Sequence, residues 1–212
     1  MPKKVAVVGT GGHSKVVVAI LRSMGAEVVG LITEESGREG EAPYGVPVIG
    51  SVLDLPGRLV RELDGFVAAR GENRLRLQLA ERMAAHGVAP FTAVHPSAVL
   101  AAECRLGQGV VVGPGAILNP GAVVGDHAII NSGAIVEHDT QIGAGANLSP
   151  RTATSGNVRI GQRVFVGTGA VFLPGISVGA DSIVGAGAVV TRDVPPGVVV
   201  VGVPARVLRA VE

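Results

Sequence analysis

The chain has 212 residues, 47% of them hydrophobic but only 2% aromatic, with 32 glycines and a formal net charge of +1. Its core must therefore be built from Val, Ile, Leu and Ala, in layers thin enough for aliphatic side chains to fill. No basic run offers an electrostatic case for nucleic acid or an anionic membrane, and the longest apolar runs, such as GVVVVGV, fall far short of a membrane span.

In chain order, KKVAVVG reads as a buried parallel strand, HSKVVVAILRSMG as a helix stopped by Gly25, and AEVVGLIT as a second strand, together a βαβ unit. MPKK leads straight into that first strand instead of a signal-peptide core, and Cys104 has no second cysteine to pair with, so the expected location is the cytoplasm. A further strand, DGFVAAR, precedes GENRLRLQLAERMAAHG. There Leu75, Leu79 and Met83 recur four apart on one helical face and Gly87 ends the helix. Residues 1–90 are expected to form a small α/β domain, roughly half of a doubly wound dinucleotide fold.

Two segments of this half mark a ligand site. GTGGHS, Gly9 to Ser14, follows a strand and opens a helix, so its amides and the helix N-terminus can cradle a phosphate. It ends in Ser14 where a dinucleotide fingerprint has glycine, and the partner acid is divided between Glu34 and Glu35, which argues against NAD. ARGEN, Arg70 to Asn73, lies at the carboxyl end of a strand, where open α/β sheets bind ligands and Arg70 is placed to meet a phosphate.

Beyond residue 93 the pattern changes to a six-residue repeat. Stepping by six from Val94 to Val190 gives seventeen residues, sixteen of them apolar and the other Thr154, and four places after each comes a small or β-branched residue. Glycine often follows the large aliphatic, at 107, 113, 125, 143, 161, 167, 179 and 185. Each hexad is then a short strand and a tight corner, three hexads make a triangular coil, and an unbroken register over 94–195 makes about 5.7 coils stacked at roughly 4.8 Å.

This repeat, with VVGTGGHSKVV at the start, INSGAIVEHDTQIG and SGNVRIG in the middle and VGVPARVLR at the end, resembles the hexapeptide-repeat acyltransferases. Within them it is most similar to the sugar O- and N-acetyltransferases that include the sialic acid O-acetyltransferases and the bacterial UDP-4-amino-sugar N-acetyltransferases. The resemblance implies an α/β half-Rossmann nucleotide-sugar-binding domain over 1–90, a left-handed parallel β-helix over 91–196 and a C-terminal cap over 197–212. The handedness rests on the resemblance alone, since the general crossover rule favours the right hand. It also implies acetyl-CoA as cosubstrate without a metal, a homotrimer with active sites between subunits, and a place in glycan biosynthesis.

His138 is the candidate base. Imidazole, with an ordinary pKa near 6.5, suits removal of a proton from an attacking nucleophile. It sits at the third position of the hexad beginning at Val136, so the repeat does not bury it, and Glu137 and Asp139 flank it. The resemblance makes His138 the base, Asp139 the residue that orients its ring, and Asn131 a neighbour of the acceptor. It assigns the nucleotide to the first domain, with Gly9, Gly11, Gly12 and His13 near the phosphates, Glu34 and Glu35 near ribose or base, and Arg70, Gly71 and Asn73 beside them. Acetyl-CoA is expected on backbone groups of the later coils, at Gly156, Gly167, Gly185 and Gly187. Asn147 stands where some relatives have a second histidine near the cofactor and is expected to hydrogen-bond acetyl-CoA through its amide, and the unbroken register leaves no looped insertion to cover the cofactor, so a neighbouring subunit must supply that wall.

The remaining histidines read as structural or solvated at His95 and His86 and as ambiguous at His127. A zinc site of the γ-type carbonic anhydrase kind from His95, His127 and His138 is the rival in another reaction class, against which the nucleotide-binding half argues. The expected activity is acetyl transfer to the amino group of a nucleotide-linked amino sugar. O-acetylation of a sialic-acid-like sugar, the zinc enzyme and a non-catalytic β-helix scaffold are the alternatives.

Overall fold

The computed structural model describes residues 1–211, and the chain divides into two compact units, Met1–Pro96 and Ser97 onward. In the first, β1 (Lys4–Val8), α1 (Gly12–Ser23), β2 (Glu27–Thr33), β3 (Val48–Ser51), α2 (Gly57–Glu62), β4 (Gly65–Ala68) and α3 (Asn73–Ala85) follow one another. The four strands form one parallel sheet in the order β3-β2-β1-β4. Val5 to Val8 of β1 are fully buried, which is why that strand is apolar without alternation: helices cover both faces of a parallel sheet. Leu79 and Met83 join Phe66 and Ile32 in the core as their spacing predicts, with Leu75 packed at its margin. The sequence reading passed over β3 and α2, since VIGS and GRLVRE are too short to show a period. The chain leaves β1 for β2 on one side and returns to β4 on the other. The carboxyl ends of β1, β2 and β4 therefore converge at the point where such sheets hold ligands.

The second unit is a left-handed parallel β-helix. Through Val189–Val190 its strands are two residues long, and up to that strand they pair with strands eighteen residues on, as in Val99↔Ile117, Val123↔Gln141 and Ile129↔Asn147. Three faces result. The first carries Val123–Val124, Gln141–Ile142 and Arg159–Ile160, the second Ile129–Ile130, Asn147–Leu148 and Phe165–Val166, and the third Ile117–Leu118, Ile135–Val136 and Ala153–Thr154. The large aliphatics of the repeat fill the interior: Leu118, Val124, Ile130, Val136, Ile142 and Leu148 are all buried. The alanines at 116, 122, 128, 134, 146 and 170 close the corners from inside with no exposed surface.

Each corner contains two special positions, and only one was visible as a glycine pattern. The glycine after the large aliphatic allows the next coil to approach: a Cβ on Gly143 would lie 2.5 Å from the Gln162 amide nitrogen. The left-handed turn comes two residues later, where glycine alternates with His127, Asp139, Arg151, Asn157, Arg163 and Asp181, all at φ between 54° and 60°.

The expectation of an unbroken register to residue 195 is corrected at the last coil. The eighteen-residue step holds to Phe172↔Val190, but Val178 then meets Val194 and Ile183 pairs with Val199, each two residues early. The shortening lies in the corner Thr191–Asp193, since Val190 to Val194 is four residues where Phe172 to Val178 is six. The strand Val198–Val201 then extends the second face, and Arg206–Ala210 folds back antiparallel on it. Among the described residues no helix is long and apolar enough to cross a membrane.

Candidate active site

His138 occupies the corner between Ile135–Val136 and Gln141–Ile142, on the edge joining the third face to the first. Its side chain is 56% exposed, and Nδ1 lies 2.9 Å from Asp139 Oδ2. With Nδ1 donating to the carboxylate, the neutral ring carries its lone pair on Nε2. Asp139 is in the left-handed region at φ 58°, a conformation that aspartate tolerates better than most residues. Glycines frame the pair. A Cβ on Gly156, one coil later, would lie 2.4 Å from both Cε1 and Nε2 of His138, and one on Gly121, a coil earlier, would lie 2.5 Å from Asp139 Oδ1. The β-helix thus leaves space for both side chains by omitting one at Gly156 and one at Gly121.

Asn131 lies on the opposite edge of the same face, between Ile129–Ile130 and Ile135–Val136, and its Oδ1 accepts a hydrogen bond from the Ser132 amide at 2.8 Å. Gly167 and Gly185 stack on that Asn131 edge at eighteen-residue steps, with Gly187 beside them. Within one chain the structure therefore brings His138, Asp139 and Gly156 together but keeps Asn131, Gly167, Gly185 and Gly187 on another edge. Gly167 has a packing reason of its own, since a Cβ there would meet the Ala186 nitrogen at 2.4 Å, whereas the space around Gly187 is open. Asn147, in a strand of the second face, is 5% exposed.

His127 sits on the third edge of the prism, its ring in the space left by Gly109. Among the described residues no three His, Cys, Asp or Glu side chains gather to hold a metal ion. His86 is not merely solvated at its helix end: its Nε2 lies 2.9 Å from the Val52 carbonyl oxygen.

In the first unit a cavity of about 150 Å3 is lined by Gly9, Thr10, Thr33, Glu34, Glu35, Arg38 and Arg70. Gly9 is at φ 121°, and a Cβ there would crowd Ser14 Oγ, the Ala69 carbonyl and the Arg70 side chain at 3.0 to 3.2 Å. The first turn of α1 has no side-chain cap; the Ser14 amide donates to the Gly11 carbonyl at 3.1 Å, and the helix N-terminus favours an anion. Arg70 Nε lies 3.0 Å from Glu34 Oε1, pairing two residues that the sequence had placed separately. Arg38 Nη1 donates to Thr10 Oγ1 at 3.3 Å, and the Tyr44 hydroxyl donates to the Thr10 and Gly11 carbonyls. Sequence reasoning missed Thr10, Thr33, Arg38 and Tyr44. The last two belong to ESGREGEAPYG, a loop without periodicity, and no signal pointed there.

Three of the expected ligand residues have other partners or open space around them. Asn73, 8% exposed, accepts at Oδ1 from Arg76 Nη2 at 2.9 Å, and Gly71 is exposed, with open space where a Cβ would stand. His13 turns inward. Burial first and the nearby Arg76 charge second lower its pKa to about 4, and its Nε2 is buried without a hydrogen-bond partner. Arg76 itself is 1% exposed and donates through Nη1 to the Arg70 carbonyl at 2.8 Å, burial lowering its pKa to about 10.

The same two-part construction occurs in known proteins. Residues 4–83 match the PglD N-terminal domain, and residues 157–192 match the bacterial transferase hexapeptide model of six repeats. A crystallised variant of perosamine N-acetyltransferase from Caulobacter crescentus, in complex with CoA and GDP-perosamine, is 43% identical. The match covers 97% of this chain and 96% of that one, with a TM-score of 0.90. The chain belongs to the hexapeptide-repeat sugar acetyltransferases. Members of this family are enzymes that use acetyl-CoA, and another of them, the acetyltransferase domain of PglB from Neisseria gonorrhoeae FA1090, was solved in complex with acetyl coenzyme A. It is 36% identical, with 98% of this chain and 100% of that one covered and a TM-score of 0.87. Among curated sugar acetyltransferases, GDP-perosamine N-acetyltransferase from Escherichia coli O157:H7 is 28% identical over 150 residues, 68% of this chain and 67% of that protein. The galactoside O-acetyltransferase of Escherichia coli K12 is 46% identical over 54 residues, so the chain spans about a quarter (27%) of that relative's length.

Proposed function

We propose that the protein transfers the acetyl group of acetyl-CoA to the amino group of a nucleotide-linked amino sugar, with His138 as general base. The observation that carries this reading is the His138–Asp139 pair, 2.9 Å apart and open to solvent on an edge of the β-helix. The neutral amine attacks the thioester carbonyl and a C–N bond forms. His138 Nε2 takes the proton that the nitrogen sheds, and the C–S bond breaks to release CoA as thiolate. Asp139 holds Nδ1–H and stabilises the imidazolium that results. No covalent enzyme intermediate is required.

The cavity of the first unit receives the nucleotide diphosphate, with the amides of the α1 N-terminus and the Arg70 guanidinium as its anion ligands. A GDP-linked sugar is the first acceptor to test, because the 43% identical relative was crystallised with GDP-perosamine. Completion of the transfer site falls to a homotrimer. The His138 edge of one copy faces the Asn131 edge of the next, so that Asn131, Gly167, Gly185 and Gly187 line the far wall for acetyl-CoA. The protein works in the cytoplasm, where its thioester donor is found.

The test is thiol release from acetyl-CoA against UDP-, dTDP- and GDP-linked 4-amino sugars and free sialic acid. Turnover of an amino-sugar nucleotide supports the reading. Turnover of sialic acid alone moves the activity to O-acetylation, and no thiol release from any acceptor rejects it.

A further inference from the structure

The corner that carries His138 is held differently from the other corners of the β-helix. Elsewhere on that edge the residue leaving a third-face strand donates its amide to a backbone carbonyl of the next coil: Asn119 to Val136 and Ser155 to Phe172, at 2.9 and 3.1 Å. Glu137 is the equivalent residue in the His138 coil, and its amide donates instead to a side chain, the Thr154 hydroxyl, at 3.0 Å. The ladder registers the change. Ile135–Val136 and Ala153–Thr154 share a single pair of partners, Ile135↔Ala153, where the flanking strand pairs of this face share two. A hydroxyl has been inserted between two backbones that otherwise bond directly, next to the candidate base.

Thr154 is also where the sequence departs from its own rule, as the one polar residue among seventeen large inward positions, and it is 4% exposed. A buried hydroxyl costs stability unless it is bonded, so an aliphatic residue would serve the core better. The rest of the segment acts on the same corner. The Thr140 hydroxyl donates to the Ser155 carbonyl at 3.2 Å, Gly156 leaves room for the imidazole, and the Asn157 amide donates to the His138 carbonyl at 3.0 Å. Residues 154–157 of one coil thereby seat residues 137–140 of the coil before.

We propose that Thr154 is a positioning residue for His138: its hydroxyl replaces the backbone carbonyl as acceptor for Glu137, breaks the ladder at that point, and sets the His138 corner at the height from which the imidazole reaches the acceptor. The kinetic part of this inference rests on the proposed acetyl transfer. The structural part stands without it.

Thr154→Val keeps the shape and removes the hydroxyl, and Thr154→Ser keeps the hydroxyl. The expected result for Thr154→Val is a kcat lowered roughly 10- to 100-fold, in line with the cost of a misplacement of about 1 Å, with KM for both substrates within about twofold and an undiminished melting temperature. Thr154→Ser is expected to recover most of the lost kcat. A Thr154→Val enzyme with wild-type kcat overturns the proposal, as does a loss that serine does not restore. A crystal structure of Thr154→Val decides the matter even if the wild-type protein proves to transfer no acetyl group. Closure of the Glu137 amide onto the residue 154 carbonyl, with His138 moved, sustains the proposal. An unmoved corner refutes it.

Discussion

The imidazole of His138 lies directly over Gly156, the residue one full coil further along, so closely that a methyl group there would sit 2.4 Å from two of its ring atoms. Gly156 is not in the left-handed region, so its backbone accepts any side chain, and the glycine is there for space. Gly156→Ala is expected to displace the ring and lower kcat by roughly 100-fold while leaving unfolding temperature near that of the wild type. Steady-state kinetics and a thermal melt of the same preparation check both halves. Unchanged kcat would mean that the ring can swing aside without loss.

His138→Ala should fold and assemble as the wild type does, because the side chain is 56% exposed and contributes nothing to the core. Its kcat is expected to fall by roughly 10²–10⁴, the usual cost of a lost general base. Asp139→Asn, which suits the same left-handed backbone, is expected to lower kcat less, by about tenfold, since the ring keeps a hydrogen-bonding partner but loses the carboxylate that stabilises its cation. An Asp139→Asn enzyme slower than His138→Ala would show that the aspartate acts in some other way.

Removing Arg70 tests the first unit separately. Arg70→Ala takes away a cation of the cavity and leaves Glu34 without its partner, an unpaired carboxylate facing a diphosphate. KM for the nucleotide sugar is expected to rise roughly ten- to hundredfold, with KM for acetyl-CoA unchanged. Equal changes in both constants would place Arg70 outside the nucleotide site.

His13 makes stability depend on pH. Its pKa of about 4 in the folded chain lies below the ordinary 6.5, so between those values the unfolded state binds the extra proton and acid favours unfolding. Going from pH 7 to pH 4.5 is expected to cost the wild type about 2 kcal/mol through this residue. The stability is complete above pH 6.5 and lost as pH falls towards 4. Denaturant unfolding of wild type and His13→Asn at both pH values isolates the contribution, because the carboxylates titrate alike in the two proteins. An equal loss in both would show that His13 is not the group responsible.

Much of the architecture is legible in the chain because both periods are enforced by burial. Val5 to Val8 read as a parallel strand since both faces are covered, and the six-residue step reads as coils since every coil meets the same thin interior. The repeat failed as a guide at its end. There Val194 still looked like an inward residue but had moved two places in register, because the chain reaches it from Val190 in four residues, through Thr191, Arg192 and Asp193, where the coil before takes six. The left-handed positions held by His127, Asp139 and Arg151 were equally hidden, since a side chain in that conformation leaves no compositional mark.

By itself the sequence determined the two-part plan, the stacking step, and the exposure of His138 beside Asp139, because each follows from local periodicity and adjacency. Tertiary structure alone decided what surrounds those residues. It pairs Arg70 with Glu34, brings Arg38 and Tyr44 to Thr10, turns His13 inward, and places Asn131 across a face from His138. It also joins Thr154 to Glu137 across seventeen positions. The physical reason is that a hydrogen bond or an ion pair depends on separations of a few ångströms. In a coiled chain, residues a full turn apart in sequence meet at that distance while near neighbours lie on different edges.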